Sequence, residues 1–329
     1  MKLRRLAPKD LDAVVAIDAA LTGNTRRVYF ERRLQAALRQ PELHVQFAAE
    51  VGGRLGGHVL ARKLVGEFGR AQPALQLETL GVQPGEQGHG VGMALLGALE
   101  AEAKKQAIPA IRTAATWRNV GLLRFFDHAG FELAHTQSLE CVVHRNRLGA
   151  AEEAGVAAPE HHRATSELDY SPAANNDFEA LARDKADVRS LEARDLDDIV
   201  RIDAGITGRD RRDFISRLVN EAMTDSAVRV SLTARIDGIV AGYVAARTDF
   251  GDFGRSEPVA VFDSIGVDPD FAHQHVGAAL LSQLFINLEA LNIERVDTVV
   301  DRDNFELLGF LYKVGFVPSP RLGFVKRLS

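Results

Sequence analysis

The chain has 329 residues, of which 46% are hydrophobic and 26% charged, with a formal net charge of −5. This composition fits a globular protein of about two domains and excludes a disordered chain or one basic enough to hold nucleic acid. The single Cys141 excludes an internal disulfide, and no apolar run approaches the ~20 residues of a membrane span. Asp10, Asp12 and Asp18 interrupt what would be the apolar core of a signal peptide, so a cytoplasmic protein is expected.

Taken in order, Leu3–Leu6 reads as a short strand. Asp10–Leu21 has helical spacing and stops at Thr22-Gly23, and Thr25–Leu38 forms a second helix ending before Pro41. Val45–Val51 and His58–Val65 alternate as paired strands about Gly52-Gly53, followed by a strand over Leu75–Val82. A helix over Val91–Lys105, a strand over Ala110–Thr116, a helix over Val120–His128 and two strands within Phe131–Val143 complete the first half. Residues 149–186, acidic and carrying Pro159, Pro172 and Asn175-Asn176, read as an extended linker between domains at 1–148 and 187–329. Its paired His161-His162 lack ligand-spaced partners, so no metal site is expected.

The second half repeats the first. A shift of 185 positions carries Asp10 onto Asp195, Asp18 onto Asp203, Thr22-Gly23 onto Thr207-Gly208 and Arg26-Arg27 onto Arg211-Arg212. Between Arg4 and Arg32 it leaves 14 of 29 positions identical. Elements are therefore expected at 188–191, 195–206, 209–223, 228–236, 239–248, 259–267, 276–291, 295–301, 304–314 and 323–328. A period this long marks duplicated domains rather than a solenoid. The order β-α-α-β-β-β-α-β-α-β-β predicts a mixed α/β sheet in each half, not a dinucleotide fold. The first half carries an excess of basic side chains and the second an excess of acidic ones. The halves are expected to pack on each other as a pseudo-twofold pair; homo-oligomers are compatible with the sequence.

Two runs carry chemistry. Gln87-Gly88-His89-Gly90-Val91-Gly92 and Gln274-His275-Val276-Gly277-Ala278-Ala279 each follow an apolar strand and open a helix. Small residues there let the main chain approach an anion, and free helix-start amides face it. Matching Gln87 to Gln274 displaces this run by 187 positions, which predicts two extra residues between Pro269 and Gln274. The strand before each loop ends in Leu80-Gly81-Val82 or Ile265-Gly266-Val267, where the glycine fits a bulge, a close ligand approach or simple packing.

On the element order, these loops and the Asn-x(10)-Gly-Phe pattern at 119–131 and 304–316, each half resembles a GNAT-type (Gcn5-related) N-acetyltransferase domain. The resemblance implies acetyl-CoA or another acyl-CoA as cosubstrate. Its pyrophosphate would lie on the loop amides of Gln87–Gly92 and Gln274–Ala279. Its arm would lie beside Leu80, Val82, Ile265 and Val267 and near Asn119 and Asn304, where Asn also fits a helix cap. The bulge is then expected at Leu80–Val82 and Ile265–Val267, freeing amides for the thioester oxygen. Glu78 and Asp263 become candidate general bases, with desolvation raising their pKa. The family's usual tyrosine acid is missing: its positions hold Phe126 and Leu311, and Tyr312 falls one residue late, as a packing residue. Asp18, Asp203 and the repeated arginines border the acceptor or form a structural salt bridge. The implied acceptor is a small amine or a protein N-terminus. Two readings stay open: an N-acetyltransferase active in one or both halves, or a non-catalytic acyl-CoA-binding or scaffold protein.

Overall fold

The computed structural model describes residues 1–67, 72–143, 186–224, 229–249 and 259–328. The linker read at 149–186 lies outside the described residues except for Ala186. The first half runs β1 (Lys2–Arg5), α1 (Leu11–Thr22), α2 (Arg27–Arg39), β2 (His44–Val51), β3 (Arg54–Leu64), β4 (Ala74–Val82), α3 (Val91–Lys105), β5 (Ala110–Thr116), α4 (Val120–His128), β6 (Glu132–Leu133) and β7 (Thr136–Val142). The second half runs β8 (Asp187–Ser190), α5 (Leu196–Thr207), α6 (Arg212–Thr224), β9 (Arg229–Ile236), β10 (Ile239–Asp249), β11 (Val259–Val267), α7 (Val276–Ala290), β12 (Arg295–Asp301), α8 (Phe305–Lys313), β13 (Val317–Pro318) and β14 (Arg321–Arg327).

Local chemistry explains the boundaries. Gly23 and Gly208 end α1 and α5 in the left-handed conformation, at φ 77° and 68°, where a side chain would be strained. Arg4 binds both oxygens of Asp10, at 2.6 and 2.8 Å, and so ties β1 to the start of α1. These hydrogen bonds hold the Asp10 carboxyl below its usual range. In the second half the matching Asp195 is held instead by Arg235 of β9.

Two seven-stranded mixed sheets result, and each is completed by the other half. The orders are β1-β2-β3-β4-β5-β14-β6 and β8-β9-β10-β11-β12-β7-β13. Strand β14 enters the first sheet antiparallel to β5, from Arg321 opposite Thr116 to Arg327 opposite Ala110. Strand β7 enters the second antiparallel to β12, from Thr136 opposite Asp301 to Val142 opposite Arg295. Their apolar side chains follow. Leu139, Cys141 and Val143 are buried in the core under α7, and Phe324 is buried under α3, 5.5 Å from the ring of Phe126. A second core lies on the opposite face of each sheet, under α1 and α2 or under α5 and α6. Among the described residues, no helix is long and apolar enough to cross a membrane.

Candidate functional site

In each half the sheet opens where a parallel pair comes apart. β4 and β5 are paired only at Leu75–Ile111 and Gln76–Arg112, and β11 and β12 only at Ala260–Val296 and Val261–Asp297. Beyond these pairs, the edge of β4 over Leu77–Val82 has no ladder partner in β5, nor does the matching edge of β11 in β12. A threonine hydroxyl spans the base of each opening: Thr113 donates to the Leu77 carbonyl at 3.0 Å and Thr298 to that of Phe262 at 3.1 Å.

The bulge lies at the candidate bases, not at the glycines. Leu60 opposes Thr79 and Ala61 opposes Leu77, so Glu78 is the extra residue; Ala245 opposes Ser264 and Ala246 opposes Phe262, which leaves Asp263. This corrects the expected position at Leu80–Val82 and Ile265–Val267. Gly81 and Gly266 sit in regular register opposite His58 and Tyr243. A Cβ on either glycine would lie 2.5 Å from that ring, so the glycines make room for a cross-strand aromatic side chain. Both carboxylates carry guanidinium partners: Glu78 pairs with Arg33 of α2 and Asp263 with Arg247 of β10. Neither carboxylate is therefore an isolated buried charge. Asp263, Arg247, Arg112 and Arg321 line a cavity of about 130 Å³ between the halves.

The helix-start loops differ more than the sequence suggested. Both begin with a short 3-10 turn, Pro84–Glu86 or Pro269–Phe271, and both helices start seven residues after the proline, at Val91 and Val276. The shift of 185 positions therefore continues, and the two extra residues expected before Gln274 are absent. Gln274 occupies the place of His89; the residue matching Gln87 is Ala272. The left-handed positions are Gly88 and Gly90 in the first half, at φ 76° and 80°, and His273 and His275 in the second, at 61° and 64°. No atom lies within 4 Å of a Cβ built on Gly88 or Gly90. Gln87 also donates from Nε2 to the Val82 carbonyl at 3.3 Å, tying the loop to the strand end. Gly92 and Gly277 lie in the first helical turn against Phe125 and Phe310. The side chains of Val91, Val276 and Ala279 lie in the core.

The second half holds a cleft of about 1050 Å³, lined by Ile265, Val267, His275–Ala278, Asn304 and the turn between α5 and α6. Asn304 and Asn119 cap their helices, accepting from the amides of Leu307 and Leu122 at 3.1 Å. Phe126 and Leu311 are fully buried, and Tyr312, expected to pack, is 42% exposed. A different tyrosine reaches the cleft. Tyr243 donates to Asp203 at 3.0 Å and lies 3.2 Å from the Ser264 hydroxyl, while Arg211 grips both Asp203 oxygens. Burial, then the charge of Asp203, pushes the phenol pKa up, so it stays protonated. In the first half the same places hold His58, Asp18, Thr79 and Arg26. Arg26 binds Asp18 at 2.5 and 2.8 Å, and His58 Nε2 lies 3.4 Å from the Thr79 hydroxyl. Burial, and then the charge of Arg26, lowers the His58 pKa to about 3. Sequence reasoning missed His58 and Tyr243. The available signal was that both sit opposite the repeated glycines.

Comparison with known proteins agrees with this fold. The model of the acetyltransferase (GNAT) family matches twice, over residues 12–131 and 196–316. No curated protein matches the chain. Among solved structures, a tandem GNAT protein from the clavulanic acid biosynthesis pathway is 16% identical, with a TM-score of 0.62 over 100% of this chain and 98% of its own. A GCN5-related N-acetyltransferase from Sphaerobacter thermophilus is 14% identical, with a TM-score of 0.54 over 99% of this chain and 95% of its own. Another from Kribbella flavida is 13% identical, with a TM-score of 0.53 over 99% of this chain and 71% of its own. At these identities the likeness is one of fold. With the family matched in both halves and a split mixed sheet in each, the chain belongs to the acetyltransferase (GNAT) family, as two such domains in tandem.

Proposed function

We propose that the protein is a cytoplasmic N-acyltransferase that moves an acetyl, or other acyl, group from its CoA thioester to a primary amine by direct attack in a ternary complex. The first half carries the better cradle. The observation behind this reading is the pair Gly88 and Gly90: both are left-handed, both are open where a side chain would be, and both stand at the start of the 15-residue helix α3 beside the split strand. The amides of Gly88–Gly92 would hold the pyrophosphate, and the free edge of β4 at Leu80 and Val82, with Asn119, would hold the arm.

Bound acyl-CoA supplies the thioester that the amine attacks. Glu78, ion-paired to Arg33 at the bulge, takes the amine proton through a water. Unpaired β4 amides stabilise charge developing on the thioester oxygen. Phe126 offers no proton to the leaving thiolate. With domains at 1–148 and 187–329, each half supplies one site on a sheet finished by the other. A small molecule or a protein N-terminus is the proposed acceptor.

The second half favours the non-catalytic reading. His273 and His275 bring two imidazoles to the anion position, and Asp263 faces the cavity between the halves. Thiol release from acetyl-CoA across a panel of amines tests the reading. Release that Gly90→Trp abolishes and His275→Trp spares supports it; no release with any amine leaves a binding or scaffold protein.

A further inference from the structure

One wall of the second cleft is contacted from behind by the first half. Arg211, at the start of α6, holds Asp203 with Nε and Nη2 and turns its remaining nitrogen, Nη1, onto the Gly66 carbonyl of the first half. Val65 packs against the second-half cluster that contains Phe214, Ile215, Leu218 and Tyr243. About two turns beyond Phe214 on α6, Glu221 lies 3.6 Å from Arg62 of the same first-half segment. Gly66 has φ +157°, which L side chains rarely adopt, and a Cβ there would lie 2.9 Å from Arg211 Nη1 and 3.0 Å from the Phe214 ring. In the sequence, Gly66-Glu67-Phe68-Gly69-Arg70 recurs as Gly251-Asp252-Phe253-Gly254-Arg255, so both halves carry these residues at this point of the repeat.

We infer that the wall of the second cleft at the turn between α5 and α6 is held in position by Arg62–Gly66 of the first half, acting through Arg211 and Phe214. The mechanism is geometric. A guanidinium is a rigid planar fork, so its three contacts are set together. If the Gly66 carbonyl moves, the fork rotates and loosens Asp203, which in turn holds the Tyr243 hydroxyl at 3.0 Å. Tyr243, Asp203 and Arg211 all line the cleft, so the displacement reaches whatever binds there. Gly66 is thus a positioning residue for a site in the other half. Calling this wall the acceptor side rests on the acyl-transfer reading; the structural coupling does not.

The test uses full-length protein labelled with carbon-13 at the tyrosine ζ carbon. Tyr243→Phe assigns the Tyr243 resonance, and Tyr29, buried in α2 of the first half, serves as an internal control. Gly66→Val, or the milder Gly66→Ala should valine prevent folding, is expected to shift the Tyr243 resonance and leave that of Tyr29 in place. In an Arg211→Ala background the same Gly66 change should shift Tyr243 no further, because the fork that transmits it is gone. An unmoved Tyr243, a Tyr29 shift of equal size, or full additivity with Arg211→Ala would each overturn the inference. Loss of all thiol release in the wild type would sink the acyl-transfer reading without touching the resonance result.

Discussion

In the first half, Glu78 and His58 each carry a testable claim. Glu78→Gln keeps the shape and removes the charge, so turnover at neutral pH should fall by ~10²–10⁴, the usual range for loss of a general base. The deficit should narrow at high pH, where the amine is already neutral; a uniform deficit at all pH values would assign Glu78 to structure alone. His58 bears on stability. Its pKa is about 3 in the folded protein against an ordinary value of 6.5, so the unfolded chain takes up a proton between these values and the folded one does not. His58 therefore contributes to stability above pH 6.5, and this contribution is lost as pH falls toward 3. His44, lowered to about 3 by burial and then by Arg33 and Arg62, acts with the same sign. Urea midpoints measured at pH 7 and pH 5 should differ less in His58→Phe than in wild type; an equal drop would refute the role. At this scale, the equivalent positions of Glu78 and Asp263 were legible because the repeat placed both before the glycines. The roles of Gly81 and Gly266 were not, since a strand glycine reads alike for a bulge and for a ring packed across it. Their partners, His58 and Tyr243, sit one strand away and share no residue type.

The helix-start loop shows how identity can mislead where geometry does not. Matching Gln87 to Gln274 produced a plausible motif in both halves, yet the proline-headed turns and helix starts keep one spacing throughout. Helix boundaries were readable from periodicity, but left-handed backbone at a histidine leaves no mark in composition. Holding His275 at φ 64° costs about 1–2 kcal/mol in local conformation. His275→Gly should therefore relieve strain and open the second cradle, raising acetyl-CoA affinity there in calorimetry. Unchanged binding would place the second cleft's ligand elsewhere. Free strand amides were expected from family resemblance, while the threonines at the base of the split, Thr113 and Thr298, lie on a neighbouring strand that local pattern does not connect to the loop.

At the level of the whole molecule, the exchanged strands make the halves interdependent. β14 supplies seven backbone pairings to β5 and buries Phe324 in the first core; β7 does the same for β12 with Leu139 and Cys141. A chain ended after Pro318 should lose the packing of the first half, and hydrogen exchange should accelerate over Ala110–Thr116 before the second half is affected. Protection retained in β5 would show that the first sheet stands without its borrowed strand. The duplication and the fold class were plain in the sequence. The exchange was not, because β7 and β14 have the alternation of any last strand and nothing local names their partner. The central claim is that the glycine cradle of the first half binds acyl-CoA for transfer to an amine. It is tested most directly by following CoA thiol release with an amine panel in wild type, Gly90→Trp and His275→Trp. Release in wild type and His275→Trp but not in Gly90→Trp is expected; release that survives Gly90→Trp and disappears in His275→Trp would contradict it.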